Sequence, residues 1–129
     1  MILVDTSVWV EHLKTGHPRL AALLGRGLVL GHPWVVGELA LGHLHQRGEV
    51  LALLGQLPQA TIATPVELLT FINDHSLDGA GIGYVDAQLL AATRLTPDAS
   101  LWTNDKRLDA AATRMGIASD QRIYGGKGP

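Results

Sequence analysis

Short apolar runs alternate with helical stretches along this chain, and that alternation leaves few folds open to it. Ile2–Asp5 is an apolar run opening on Thr6-Ser7, which reads as a strand followed by the first residues of a helix. Helices are predicted over Ser7–Lys14 and Pro18–Leu24, the second stopped by Gly25 and Gly27. Leu28–Leu30 is a second short strand. Pro33 suits the first position of a helix that continues through Trp34–Leu44. Glu49–Leu57 is helical and Thr61–Ala63 is a third strand. Thr64-Pro65-Val66-Glu67 is a capping box that opens a helix running to about Asn73. A glycine-rich turn over 79–83 leads into a helix from Tyr84 to Arg94. Ser100–Thr103 is a fourth strand, Lys106–Met115 a last helix, and Arg122–Tyr124 a candidate fifth strand. The pattern predicts an α/β domain, with a parallel sheet of four to five strands between helical layers.

The 129 residues fit one domain over 1–129, with a frayed tail at about 125–129. At 47% hydrophobic and 17% charged the chain is expected to fold rather than stay disordered. Without cysteine it has no disulfide, no thiolate metal site and no thiol nucleophile. An acid interrupts the first apolar run at Asp5 and no basic segment precedes it, so no signal peptide is expected. No uncharged apolar run reaches the roughly 18 residues of a membrane span. The expectation is a cytoplasmic protein with no membrane partner.

Three acids stand alone in apolar surroundings. Asp5 is the only charge between Met1 and Val10, Glu38 the only formal charge in Pro33–Leu44, and Asp86 the only charge from Gly79 to Thr93. A fourth, Asp105, follows the fourth predicted strand. In parallel sheets, ligands bind at the carboxyl ends of strands, which places Asp5 and Asp105 at one edge. Helical spacing sets Asp86 on one face with Leu89, Leu90 and Thr93. A carboxylate on an inward face costs several kcal/mol unless it is paired, hydrogen-bonded or metal-bound. None of the three isolated acids has a Lys or Arg three or four residues on. A shared cation would compensate them, and hard oxygen ligands point to Mg²⁺ or Mn²⁺. Taken singly, Asp5 and Asp105 also fit helix caps, and Asp86 fits a first-turn acid favoured by the helix dipole. Glu38, in mid-helix, has no such alternative.

The net formal charge of −2 would become +2 without these four acids. Half of the ten Lys and Arg residues lie after position 100: Lys106, Arg107, Arg114, Arg122 and Lys127. Four carboxylates with one or two divalent cations, beside a modestly basic region, suit a phosphodiester. The six histidines are scattered and read as structural or surface residues. The turn over 79–83 lacks the GxGxxG pattern of a nucleotide loop.

Met1-Ile2-Leu3-Val4-Asp5-Thr6-Ser7-Val8-Trp9 resembles the opening of PIN-domain nucleases, and more narrowly of VapC-type toxins. The likeness continues through Glu38 in its apolar helix, Gly83-Tyr84-Val85-Asp86-Ala87-Gln88-Leu89-Leu90, and Leu101-Trp102-Thr103-Asn104-Asp105. The resemblance implies a three-layer α/β/α sandwich and cleavage of RNA with Mg²⁺ or Mn²⁺. It also implies a homodimer and a cognate antitoxin whose C-terminal segment covers the site. Asp5, Glu38, Asp86 and Asp105 would then be both the catalytic residues and the metal ligands, with Thr6, Ser7, Thr103 and Asn104 in support. Two other functions fit less well. A phosphatase with Asp5 as nucleophile would call for a second Asp two residues on, where Ser7 stands. A non-catalytic RNA- or protein-binding module would not need all four acids.

Overall fold

The structure, a computed structural model, describes residues 1–120. Three strands and seven helices are described, in the order β1 (Ile2–Val4), α1 (Thr6–Thr15), α2 (Pro18–Gly25), β2 (Val29–Leu30), α3 (Pro33–Ala40), α4 (Arg47–Gln56), α5 (Pro65–Asp74), α6 (Tyr84–Leu95), β3 (Ser100–Trp102) and α7 (Lys106–Arg114). The predicted alternation is therefore present. The capping box forms as expected, with Thr64 accepting from the Glu67 amide and Glu67 accepting from the Thr64 amide.

All pairing is parallel and β1 is central, flanked by β2 and β3. Ile2 and Leu3 face Val29 and Leu30 on one side, and Ser100–Trp102 pair with Ile2–Val4 on the other. A short, fully covered β1 explains why its sequence is apolar without alternation. Leu3, Val4, Leu101 and Trp102 are buried, together with Val8 and Trp9 of α1, Leu89 and Leu90 of α6 and Leu108 of α7. Helices α6 and α7 pack on β3, while α1 packs on α3 and α3 on α4.

The described sheet has three strands rather than four to five. Single parallel bridges widen it at each edge, Gly31 with Gln59 and Leu101 with Ala118. The predicted strand at Thr61–Ala63 does not form. Its backbone groups are taken by side chains instead of a ladder. The Thr61 amide donates to Thr96 Oγ1, and the buried Gln88 amide binds both the N–H and the C=O of Ala63. The candidate strand at 122–124 and the tail from 125 lie outside the described residues.

The chain leaves β1 toward β2 on one side and leaves β3 toward the Ala118 bridge on the other. The C-terminal ends of β1 and β3 thus flank a point where the winding direction reverses. That is where α/β sheets open a crevice for ligands. No described helix is long and apolar enough to cross a membrane.

Candidate active site

Asp5 is the first residue past β1, and its amide still bonds the Trp102 carbonyl at 2.9 Å. It stands at the N-cap of α1, yet its carboxylate makes no capping bond. The side chain is 95% buried and is occupied otherwise. Ser7 Oγ and Thr103 Oγ1 both donate to Oδ2, each at 2.7 Å. Those two hydroxyls in turn accept the Asn104 and Asp105 amides, each at 3.0 Å. A hydroxyl has one proton, so the backbone beyond β3 obliges both to aim it at Asp5. The two bonds fix the orientation of the carboxylate through hydroxyl donors.

The other acids are each held by one local contact. Thr6 Oγ1 donates to Glu38 Oε1 at 2.6 Å, joining α1 to α3. The Gly83 amide donates to Asp86 Oδ2 at 3.2 Å, and the Leu108 amide to Asp105 Oδ1 at 2.9 Å. Asp105 therefore does cap α7, as one of its sequence alternatives allowed. Asn104 Nδ2 donates to Glu11 Oε2 at 3.3 Å, and Glu11 pairs with His17 at 3.3 Å. Glu11 escaped the sequence argument, although it lies four residues after Ser7 on the same face of α1.

The four acids are electrostatically one cluster. Asp86 sits half-buried, and its carboxyl is pushed above the ordinary carboxylate range. The largest cause is loss of solvent; Asp5, Asp105 and Glu38 add repulsion, and the Gly83 amide acts against both. Among the described residues no Lys or Arg forms an ion pair with any of the four. A charged group that is partly desolvated and repelled by three others favours a bound cation. The donors are all hard carboxylate oxygens, which fits Mg²⁺ or Mn²⁺. The acids are not drawn into a ready cage, however. Among the described residues no three metal-ligating side chains are gathered at coordinating distance. Each carboxylate is held apart by its own hydrogen bond, and mutual repulsion opposes closer approach.

One expectation needs correction. Glu38 is exposed and does not face inward. Its apolar neighbours Val35 and Leu39 turn to the core while Glu38 points away from it. A lone acid among apolar residues need not be buried: on α3 it takes the solvent side. Beside it a cleft of about 540 Å³ opens, lined by Thr6, Glu38 and Leu39 and rimmed by Lys14, His43 and His45.

No family-level sequence model matches the chain. Two curated relatives do, both ribonuclease VapC32, from two strains of Mycobacterium tuberculosis. Each is 47% identical over 123 residues, a span covering 95% of this chain and 99% of the relative.

Proposed function

The chain belongs to the VapC family of ribonucleases, and from that premise we propose that it is a metal-dependent endoribonuclease, the toxin of a toxin–antitoxin pair. The observation that carries the mechanism is the coupling of Asp86 to Asp5, Asp105 and Glu38, none of which pairs with a Lys or Arg among the described residues. Asp5, Asp86 and Asp105 would hold a Mg²⁺ or Mn²⁺ ion, with Glu38 at its edge. When bound, such an ion supplies the positive charge that these acids lack and lowers the pKa of a water.

The chain's own residues have distinct parts. The Ser7 and Thr103 hydroxyls keep Asp5 aimed. Thr6 orients Glu38 through Oε1. Glu38 is exposed to the cleft, and it takes a proton from the attacking water. The water oxygen bonds to phosphorus as the bond to the 3′-oxygen breaks. The leaving 3′-oxygen takes a proton from solvent, giving a 5′-phosphate and a 3′-hydroxyl. The substrate is RNA, the partner a cognate antitoxin, the active form a homodimer, and the compartment the cytoplasm.

The purified chain, free of antitoxin, is expected to cleave RNA in Mg²⁺ or Mn²⁺ and to stop in EDTA. Cleavage undiminished by EDTA would overturn the metal mechanism. An absence of cleavage under any metal would overturn the ribonuclease itself.

A further inference from the structure

Arg107 stands in the first turn of α7, two residues after Asp105. Its guanidinium makes no ion pair or hydrogen bond among the described residues. It packs instead on the backbone of Gly81, in the loop that leads into α6 and Asp86. A Cβ placed on Gly81 would lie 2.8 Å from both Cδ and Nη1 of Arg107. Gly81 also has φ +77°, a conformation that L side chains rarely adopt. The loop is therefore open to the arginine for two independent reasons. Arg107 in turn spans from the helix that Asp105 caps to the loop that enters the helix of Asp86.

Seven residues on, two helical turns and roughly 10 Å along the axis, stands Arg114. One of its nitrogens donates to the His75 carbonyl at 3.1 Å, which steadies the side chain and leaves other donors of the fork. Between the two arginines the surface is floored by Ala80, Ala110 and Ala111, in a shallow hollow of about 290 Å³. Small side chains there keep the floor low and leave both guanidinium groups standing at its ends.

Resting on the ribonuclease reading above, we propose that this face of α7 is the track for the RNA backbone, with Arg107 and Arg114 contacting phosphates that flank the cleaved bond. Charge complementarity selects the occupant. The chain has a net charge of −2 and an uncompensated acid cluster, so a polyanion needs a local cationic foothold to approach. Arg107, with no ion pair among the described residues, a second arginine two turns away and no acid on the hollow's lining supply it. Arginine forks match phosphate oxygens in pairs. Contacts of this kind position a strand and do not read its sequence.

The test combines binding and turnover. Anisotropy of fluorescein-labelled single-stranded RNA in EDTA gives the slope of affinity against salt, and steady-state cleavage in Mn²⁺ separates KM from kcat. Arg107→Ala and Arg114→Ala should each flatten the salt slope by about 0.7. They should weaken RNAs of different sequence alike and raise KM with kcat little changed. Arg107→Lys, which keeps the charge, should hold the slope. Arg26→Ala, before β2 and so at the opposite edge of the sheet, should match the wild type. If the double variant keeps the wild-type slope and KM while the wild type cleaves RNA, the track is overturned and the ribonuclease stands. If the wild type neither binds nor cleaves RNA, both fall together.

Discussion

Asp86 and Asp5 show how two carboxylates of one cluster come to have different surroundings. Asp5 receives two hydroxyl protons on one oxygen, whereas Asp86 receives one amide and the repulsion of three acids. The sequence alone makes Asp5→Asn the natural way to relieve repulsion. With its hydroxyl partners known, that change would also weaken two charge-assisted hydrogen bonds. Asp86→Asn is the cleaner variant, since the amide oxygen can still accept from Gly83. Because the folded state raises the Asp86 pKa, the stability tied to this group is fully present below the unfolded pKa. It is lost as pH rises through the folded value. In EDTA, Asp86→Asn should therefore melt higher than the wild type at neutral pH, with the advantage fading as the solution is made acidic. In Mn²⁺ the same variant should lose RNA cleavage by more than about a hundredfold, since even the outer-shell partners of metal ligands cost 10- to 100-fold. Equal melting temperatures across the pH range would remove Asp86 from the repulsive cluster.

At the scale of elements, two buried side chains do work usually left to the backbone. Gln88 of α6 satisfies both polar groups of Ala63 and so holds the segment before α5 where a strand was expected. Gln88→Leu would leave a buried N–H and C=O without partners and should cost about 3 kcal/mol, read from denaturant unfolding. A loss under about 0.5 kcal/mol would mean that the segment finds other partners. His32 starts α3, the helix that carries Glu38. Its Nδ1 accepts the Trp34 amide at 3.0 Å, which requires the neutral ring. Burial holds His32 below its ordinary pKa of 6.5, with the Gln88 side chain opposing that shift. A depressed histidine leaves its stability intact above 6.5, and that stability falls as the pH drops toward the folded value, because the unfolded chain takes up the proton first. Thermal melts should therefore show the wild type losing stability below 6.5 more steeply than His32→Asn, which keeps a capping oxygen. Parallel curves for the two would exclude His32 as the source.

For the whole molecule, the decisive feature is the reversal of winding between β1 and β3. It brings Asp5 and Thr103, ninety-eight residues apart, to 2.7 Å. The same compactness leaves apolar surface uncovered. Leu41 is 91% exposed and Val66 75%, and Leu53 and Leu69 are exposed as well. Val66 and Leu69 stand three residues apart on one face of α5, and an apolar face of this kind on a small domain suits contact with another chain. Sedimentation at micromolar concentration is expected to show a dimer, and a monomer at every concentration would count against self-association.

Local sequence was enough for much of this protein. Proline at the start of α3 and the Thr64 capping box are signals a few residues long, and the helices they open are where they were expected. Asp5, Glu38 and Asp86 were legible as candidates because a formal charge inside an apolar run stands out without any knowledge of the fold, and Asp105 because it follows a strand. Tertiary structure decided what depends on partners distant in sequence. Thr61–Ala63 reads as a strand, but a strand needs a neighbour, and Gln88 supplied hydrogen bonds first. Glu38 reads as inward, but which side of α3 faces the core depends on how it packs against α1 and α4. Asp5 reads equally well as a cap or a ligand, and the capping bond is absent because its carboxylate accepts from Ser7 and from the distant Thr103 instead. Periodicity and capping act within a turn or two of chain. Hydrogen-bond competition and electrostatic coupling act through space, and only the folded molecule fixes those distances.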